Sequence, residues 1–176
     1  MKDKINLEGK TVLIVGAGGG IGRSTAHLFS EAEANIVISS RNEPGLAELE
    51  YQLNANGNQN VLAIAADAVV EADVKNLVAK ATEKFGSIDY LVHAAGMGVL
   101  KPFGEITPAD FDNLINANLR TAFTVLQAVL PQMAVQKFGR VVAIPGVLGK
   151  APMVQASGYC AAKYALTGMI KCLAQE

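Results

Sequence analysis

Short apolar runs alternate with longer amphipathic stretches along the chain. The apolar runs are rich in valine, isoleucine and leucine and have the length of buried β-strands. They predict strands at 11–15, 35–39, 61–65, 89–94 and 140–144. The stretches between and after them predict helices at 23–32, 43–56, 71–85, 107–133 and 157–175.

Polar residues and prolines mark several helix ends. Asn42 is placed to cap the second helix, because its side chain can accept a hydrogen bond from a free backbone N–H. Thr107 is placed to cap the fourth helix, which Pro108 opens, and Pro131 is a candidate for ending that helix early. Glu33 stands where a helix-ending glycine is usual, so we expect a left-handed backbone there.

The alternation of strands and helices predicts the fold class. Strand–helix–strand units form right-handed crossovers, which build a doubly wound parallel sheet with helices on both faces, a Rossmann-like three-layer α/β sandwich. Such a sheet binds ligands at the carboxyl ends of its strands. Small or polar residues occupy those ends, at Gly16, Ser40, 66–67, 94–96 and 145–146. This edge suits a long, flat ligand such as a dinucleotide.

The composition agrees with a single α/β domain over residues 1–176. The chain has 51% hydrophobic and 18% charged residues and a net charge of −1, so it has no basic field for nucleic acid. No apolar run reaches the ~18 residues of a membrane span, and the start M-K-D-K-I-N is too polar for a signal peptide. We therefore expect a cytoplasmic protein that does not enter a membrane.

Cysteine and histidine spacing predicts neither a disulfide nor a metal site. Cys160 and Cys172 fall on one predicted helix. At ~1.5 Å per residue they lie roughly 18 Å apart, too far for a disulfide. His27 and His93 are far apart in sequence, and no residue near them has metal-ligand spacing.

A glycine-rich turn follows the first strand. Gly16, Gly20 and Gly22 form the pattern G-x-x-x-G-x-G, with Gly18 and Gly19 between them. A strand, a glycine turn and a helix start allow backbone N–H groups and the helix N-terminus to face a pyrophosphate. A plain glycine-rich turn is the alternative. A nucleoside-triphosphate loop does not fit, because it needs glycine at position 17 and lysine at position 23, where the chain has alanine and arginine.

The end of the second strand bears on which dinucleotide would bind. An acidic residue there would hold the ribose 2′-hydroxyl, but the chain has Ser39 and Ser40, followed by Arg41. A guanidinium can pair with a 2′-phosphate, so we expect NADP(H) in preference to NAD(H), with a solvated loop charge as the alternative. Asp67 is placed either to accept a hydrogen bond from adenine or to cap the third helix.

The last predicted helix opens with Y-C-A-A-K. Tyr159 and Lys163 are four residues apart, so they share one helical face. A neighbouring ammonium stabilises a phenolate and lowers the tyrosine pKa from its usual value near 10, which makes tyrosine a usable acid or base. The pair predicts proton transfer at a carbonyl oxygen, unless the spacing arises by chance.

Together these motifs resemble the short-chain dehydrogenase/reductase family, over the whole chain. The glycine turn matches the family's T-G-x-x-x-G-I-G with Val15 in place of threonine, and the last helix matches its Y-x-x-x-K. The pattern looks most like the 3-oxoacyl-carrier-protein reductase and the sugar or alcohol dehydrogenase branches. The resemblance implies catalytic roles for Tyr159, Lys163 and Asn118, the last anchoring a relay water. It implies cofactor contacts at Gly16, Gly18, Gly19, Gly20, Ile21, Gly22, Arg41, Asp67, Ala68, Ala94, Ala95, Gly96, Tyr159 and Lys163.

The chain departs from the family pattern at three places. Gly146 occupies the position of the catalytic serine, 13 residues before Tyr159, and Ser157 nearby is expected to cap a helix instead. His93 and Ala94 replace the asparagines of the family's N-N-A-G. The family usually continues beyond position 176 with further strands and a substrate lid, so relative to the family we expect either a C-terminally truncated chain or a naturally shortened form.

Two functions compete on this basis. The first is an NADP(H)-dependent oxidoreductase that acts on a small carbonyl or secondary alcohol substrate. The second is a cofactor-binding but catalytically impaired sensor or scaffold, because Gly146 lacks the serine hydroxyl. A nucleoside-triphosphate switch is a distant third. The family resemblance also implies a homodimer or homotetramer formed through the helices at 107–133 and 157–175.

Overall fold

The computed structural model describes residues 5–176, so most of the polar start that argued against a signal peptide lies outside the described residues. The predicted order of strands and helices is confirmed. The strands are β1 (Thr11–Val15), β2 (Asn35–Ser40), β3 (Val61–Ala65), β4 (Tyr90–His93) and β5 (Arg140–Ala143). The helices are α1 (Gly20–Glu31), α2 (Glu43–Ala55), α3 (Glu71–Phe85), α4 (Pro108–Ile115), α5 (Thr121–Val135) and α6 (Ser157–Leu173).

The five strands form one parallel sheet in the order β3-β2-β1-β4-β5. The strand order reverses between β1 and β4, and a crevice opens at such a switch point beyond the carboxyl ends of the strands. Val15 at the end of β1 pairs with Ser39 on one side and with His93 on the other. The residues that follow these three strands therefore meet at one edge of the sheet.

Helices cover both faces of the sheet. Along β1, Leu13 and Val15 pack with residues of α3, α5 and α6, whereas Val12 and Ile14 pack with residues of α1 and α2. This separation follows from the strand pleat, which directs successive side chains to opposite faces. The two apolar clusters confirm the predicted three-layer sandwich.

The predicted helix at 107–133 is interrupted. Thr107 caps it in a reciprocal pair of hydrogen bonds with Asp110, as the pattern of its first turn favours. A π-helical turn at Asn116–Arg120 then separates α4 from α5. Pro131 lies inside α5, which continues to Val135, so the prediction that this proline ends the helix is wrong.

The ends of α1 and the apolar character of the helices were also predicted from the sequence. Glu33 has φ of +67°, which confirms the left-handed backbone expected after α1. α1 begins at Gly20, three residues earlier than predicted. Among residues 5–176, none of the helices combines the length and the apolar character needed to cross a bilayer.

Candidate active site

A cleft of about 330 Å³ lies at the carboxyl edge of the sheet, around the switch point between β1 and β4. Its lining comes from the segments that follow β1, β2, β3 and β4, together with the π-helical turn and the start of α5. The lining residues are Val15, Gly16, Gly18, Gly19, Ser40, Arg41, Asn42, Asp67, Ala68, Val69, Ala94, Ala95, Gly96, Met97, Ala117 and Thr121. A larger groove of about 660 Å³ lies between α3 and α5 and contains none of the predicted site residues.

The glycine turn divides between the cleft and the helix behind it. Gly16, Gly18 and Gly19 line the cleft, whereas Gly20, Ile21 and Gly22 form the first turn of α1 and do not. The Ile21 side chain is 58% exposed. No side chain caps the N-terminus of α1, and its first turn contains no acidic residue. Free N–H groups and the positive end of the helix dipole are therefore left for an anion.

The segment after β2 presents an unpaired cation. The Ser40 hydroxyl oxygen accepts a hydrogen bond from the Asn42 N–H at 3.2 Å, and the Asn42 side chain caps α2 by accepting from Gly45 N at 3.2 Å. Arg41 is exposed and makes no hydrogen bond or ion pair with any residue from 5 to 176. Its guanidinium is therefore available to a ligand in the cleft.

Asp67 lines the cleft and does not cap α3. The N-cap of α3 is Val70, so the helix-cap alternative for Asp67 is wrong. One carboxylate oxygen of Asp67 accepts a hydrogen bond from Val69 N at 3.0 Å, and Asp67 N donates to the Asp73 carboxylate at 2.9 Å. These bonds hold the Asp67 backbone and one oxygen, and they leave the second oxygen as a hydrogen-bond acceptor.

Tyr159 and Lys163 lie on the first turns of α6. The Lys163 side chain is buried, with 4% of the residue exposed, and its Nζ donates to the Ile144 carbonyl at 2.9 Å. The same nitrogen lies 5.7 Å from the centroid of the Tyr159 ring. Burial lowers the pKa of Lys163 from its usual value of 10.5. The Tyr159 hydroxyl makes no hydrogen bond within the described part of the chain, so its proton is free to meet a substrate.

Asn118 fixes the loop that follows β4 rather than facing the cleft. It is fully buried in the π-helical turn, and its side-chain amide donates to the Met97 carbonyl at 2.7 Å and to the Leu114 carbonyl at 2.9 Å. A Cβ atom at Gly96 would lie 2.6 Å from Asn118 Oδ1 and 3.1 Å from Lys163 Nζ. The absence of a side chain at Gly96 therefore lets the asparagine and the lysine approach the same loop.

His93 is a buried neutral imidazole beside this group. Thr121 donates its hydroxyl proton to the Ala117 carbonyl at 3.0 Å, so the His93 Nε2 atom, 3.1 Å from Thr121 Oγ1, carries the proton of that contact. The Nδ1 atom is buried without a hydrogen-bond partner. Burial, and secondarily the charge of Lys163, lowers the pKa of His93 from 6.5 to about 4.

Sequence reasoning did not single out four of the cleft residues. These are Val69, Met97, Ala117 and Thr121. Ala117 and Thr121 are four residues apart on either side of Asn118, so helical spacing alone indicates a shared face. The contact of Thr121 with His93 joins residues 28 positions apart, and no local pattern predicts it.

The loop after β5 has a backbone that suits glycine. Gly146 has φ of +68° and ψ of −175°, a combination that residues with a Cβ atom rarely adopt. Apart from Gly146 and its two chain neighbours, no atom of residues 5–176 lies within 4 Å of the position that a Cβ atom would take. The Ser157 prediction is wrong, because Ala156 is the N-cap of α6 and no side chain caps that helix. Ser157 is instead the exposed first residue of the helix.

No cluster of three histidine, cysteine or acidic side chains within residues 5–176 has the arrangement of a metal site. Cys160 and Cys172 are free thiols on α6.

The structure combines a three-layer fold, a cleft at the carboxyl edge of its sheet with a glycine turn in the lining, and a buried Lys163 next to Gly96 of that lining. Tyr159, Lys163 and Asn118 do not line the cleft themselves. These features are typical of dinucleotide-binding α/β proteins. The short chain dehydrogenase family matches residues 10–176. The chain therefore belongs to the short-chain dehydrogenase family.

Relatives of similar sequence agree with this assignment. The chain is 31% identical over 172 residues to a 3-oxoacyl-[acyl-carrier-protein] reductase from Vibrio harveyi, covering 98% of this chain and 69% of the relative. It is 33% identical to an 11-beta-hydroxysteroid dehydrogenase from Pinus massoniana, covering 97% of this chain and 48% of the relative. The chain spans between 48% and 71% of the length of the curated relatives compared with it.

A solved structure shows the same fold. The short-chain dehydrogenase/reductase from Burkholderia phymatum, crystallised with NAD, superposes with a TM-score of 0.92 at 26% identity. The match covers 96% of this chain and 60% of that chain.

Proposed function

We propose that this chain is an oxidoreductase that binds NADP(H) and interconverts a carbonyl and a secondary alcohol. The observation that carries the proposal is the buried Lys163 ammonium, held 5.7 Å from the centroid of the Tyr159 ring and next to Gly96, which lines the cleft. When bound, the nicotinamide cofactor would supply or accept the hydride. The alcohol proton would move at the Tyr159 hydroxyl.

The chain offers a group for each part of the cofactor. Gly16, Gly18 and Gly19 would face the pyrophosphate, and the backbone N–H groups of Gly20, Ile21 and Gly22 at the α1 N-terminus would add positive potential. Asp67 and Ala68 would contact adenine, and the backbone of 94–96 would border the nicotinamide half. The second carboxylate oxygen of Asp67, which has no hydrogen bond within residues 5–176, and the uncapped N-terminus of α1 are the features of the structure that fit a dinucleotide cofactor.

Lys163 would serve two purposes. Its bond to the Ile144 carbonyl leaves two of its three N–H groups without an acceptor among residues 5–176. Those two donors would hold the ribose hydroxyls, and the ammonium charge would stabilise the Tyr159 phenolate. Asn118 would support both by holding the 96–98 loop through Met97.

The choice of NADP(H) over NAD(H) rests on Arg41. We expect Arg41→Gln to weaken NADPH binding by about tenfold and to leave NADH binding unchanged, because one charge-assisted contact with the 2′-phosphate is lost. The measurement is a fluorescence titration with both nucleotides. Arg140→Gln, at the opposite end of the sheet on β5, is the matched control. Equal loss for NADPH and NADH would contradict the assignment of Arg41 to the 2′-phosphate.

Turnover is tested at Tyr159. We expect Tyr159→Phe to abolish reduction of carbonyl substrates by NADPH while the NADPH dissociation constant changes little, because only the proton donor is removed. Unchanged turnover would contradict the role of Tyr159.

Gly146 favours a second candidate function. Its position lacks the serine hydroxyl, and apart from its chain neighbours no described residue lies within 4 Å of the Cβ position to supply a donor in its place. Losing one donor to the reacting oxygen typically lowers the rate by about 10²–10³. The alternative is therefore a cofactor-binding sensor or scaffold with little turnover. NADPH binding without any Tyr159-dependent turnover would identify it.

The proposal includes a homodimer or homotetramer formed through 107–133 and 157–175. Phe111 and Phe123 on the first segment and Tyr164 on the second are exposed, which supports an interface there. We expect Phe123→Asp to lower the mass measured by light scattering. Phe103→Asp, another exposed phenylalanine outside both segments, is the control. An unchanged mass for Phe123→Asp would contradict this interface.

A further inference from the structure

Two loop segments border Tyr159 and meet each other. We call residues 97–103 and 147–155 the rim. A Cβ atom at Gly98 would lie 3.2 Å from Cε1 of the Tyr159 ring, so the first segment rests on that ring. Lys101 N donates to the Gln155 carbonyl at 2.8 Å and joins the two segments. The hydroxyl of Thr167 donates to the Gly149 carbonyl at 3.1 Å, which fixes the second segment to α6.

The rim exposes an unusual share of large apolar side chains. Soluble surfaces carry such side chains singly, whereas a cluster beside a reactive group marks a binding surface. The exposed large apolar residues of the rim are Met97, Leu100, Phe103, Val147, Met153 and Val154. Met97 also lines the cleft, so this surface is continuous with the proposed cofactor site.

Few polar groups accompany these side chains. Lys101, Lys150 and Gln155 are the only rim residues with charged or amide side chains. Lys101 forms an ion pair with Asp110 at 2.8 Å, and this contact lowers the pKa of Asp110 to about 2, so the pair stays ionised at neutral pH. Lys150 is then the one rim charge without a partner among the described residues. One exposed cation does not form a basic patch for an acidic substrate, and the rim has no carboxylates for sugar hydroxyls.

We propose that the substrate is an uncharged ketone or secondary alcohol with a largely apolar carbon skeleton. This inference rests on the proposed function and adds the substrate class. The carbonyl or hydroxyl oxygen meets the free Tyr159 hydroxyl, and the carbon skeleton covers the apolar side chains of the rim. Covering them removes apolar surface from water, which stabilises the complex.

The test measures binding without turnover. Secondary alcohols cannot react with the reduced cofactor, so 2-butanol, 2-hexanol and 2-octanol are titrated into the NADPH-loaded chain. We expect the dissociation constant to fall by up to about fourfold for each added methylene, since burying one methylene contributes ~0.8 kcal/mol. Sorbitol and 3-hydroxybutyrate, a polyhydroxylated and an anionic alcohol, should bind more weakly than 2-hexanol.

Two variants with matched exposure locate the effect. Val154→Glu on the rim should reduce the gain per methylene, whereas Val135→Glu at the end of α5 should not; the two valines are 83% and 85% exposed. The inference is overturned if 2-octanol binds no more tightly than 2-butanol, if sorbitol or 3-hydroxybutyrate binds more tightly, or if both variants behave alike. The preceding NADPH titration separates these outcomes from failure of the proposed function, in which the nucleotide itself does not bind.

Discussion

Mild acid should destabilise this fold through one buried histidine. His93 is 1% exposed, its Nδ1 atom has no partner, and its pKa is lowered from 6.5 to about 4 by burial and then by the Lys163 charge. The unfolded chain takes up this proton as pH falls below about 6.5, whereas the folded chain resists it until about pH 4. The stability that this neutral histidine provides is therefore fully present above pH 6.5 and is lost as pH falls towards 4.

The pKa difference sets the size of the effect. Each pKa unit corresponds to about 1.4 kcal/mol, so the full difference amounts to roughly 3 kcal/mol, of which about 2 kcal/mol is lost between pH 7 and pH 4.5. Other shifted groups act elsewhere on the pH scale. The pKa of Asp110 is about 2, below this window. The pKa of Lys163 is lowered from 10.5, so the change in stability that comes from its titration occurs in the alkaline range.

Urea unfolding between pH 7 and pH 4.5 measures this loss. The wild type should lose about 2 kcal/mol more than His93→Asn over that range, because asparagine cannot titrate. His27→Asn, which removes the half-exposed histidine of α1, is the matched control for replacing a histidine elsewhere in the chain. The comparison uses the slope of the unfolding free energy against pH. A loss of stability in His93→Asn that is the same at every pH therefore does not affect the result. Parallel curves for the wild type and His93→Asn would refute the reasoning.

Substitutions at three other positions test backbone conformation and packing. Gly146→Ser and Gly146→Ala should lower the unfolding free energy by about 1–3 kcal/mol each, because both place a Cβ atom on a backbone that favours glycine; thermal unfolding that is unchanged in both would contradict this. Lys137 has φ of +53° after α5, so Lys137→Gly should raise stability by about 1 kcal/mol, and its melting temperature by a few degrees, compared with Lys137→Ala. Gly96→Ala should displace Lys163 or Asn118, and an NADPH titration at wild-type affinity would contradict that close approach.

Local patterns predicted the parts of the fold that local physics determines. β1 and β3 match their predicted bounds, because each is a short apolar run with polar or turn residues close to both of its ends. The Thr107 cap was also predictable, since the threonine and Asp110 three residues later form their hydrogen bonds within one turn. The Y-x-x-x-K spacing likewise predicted that Tyr159 and Lys163 lie close together at the start of α6, because helical geometry places residues four apart on one face.

Tertiary contacts decided the features that sequence reasoning missed. The π-helical turn contains Asn118, whose amide bonds to Met97 on another loop, 21 residues earlier. The expectation that Ser157 caps α6 failed because the helix follows Ala156 without any side-chain cap. For Asn118 the outcome depends on where a distant segment lies, and residue type alone does not contain that information.

Glycine at position 146 both lacks the serine hydroxyl and allows a positive φ. A serine introduced at φ of +68° would strain the loop, so adding the hydroxyl would not by itself recreate the donor. Gly146→Ala carries the strain without the hydroxyl, and only an excess of Gly146→Ser activity over Gly146→Ala activity would report on the donor. Loss of such a donor typically lowers the rate by about 10²–10³, so we expect slow turnover even in a working enzyme. Slow turnover therefore does not distinguish enzyme from sensor. Dependence of that residual rate on Tyr159 does, because a protein that only binds the cofactor has no proton transfer for Tyr159→Phe to remove.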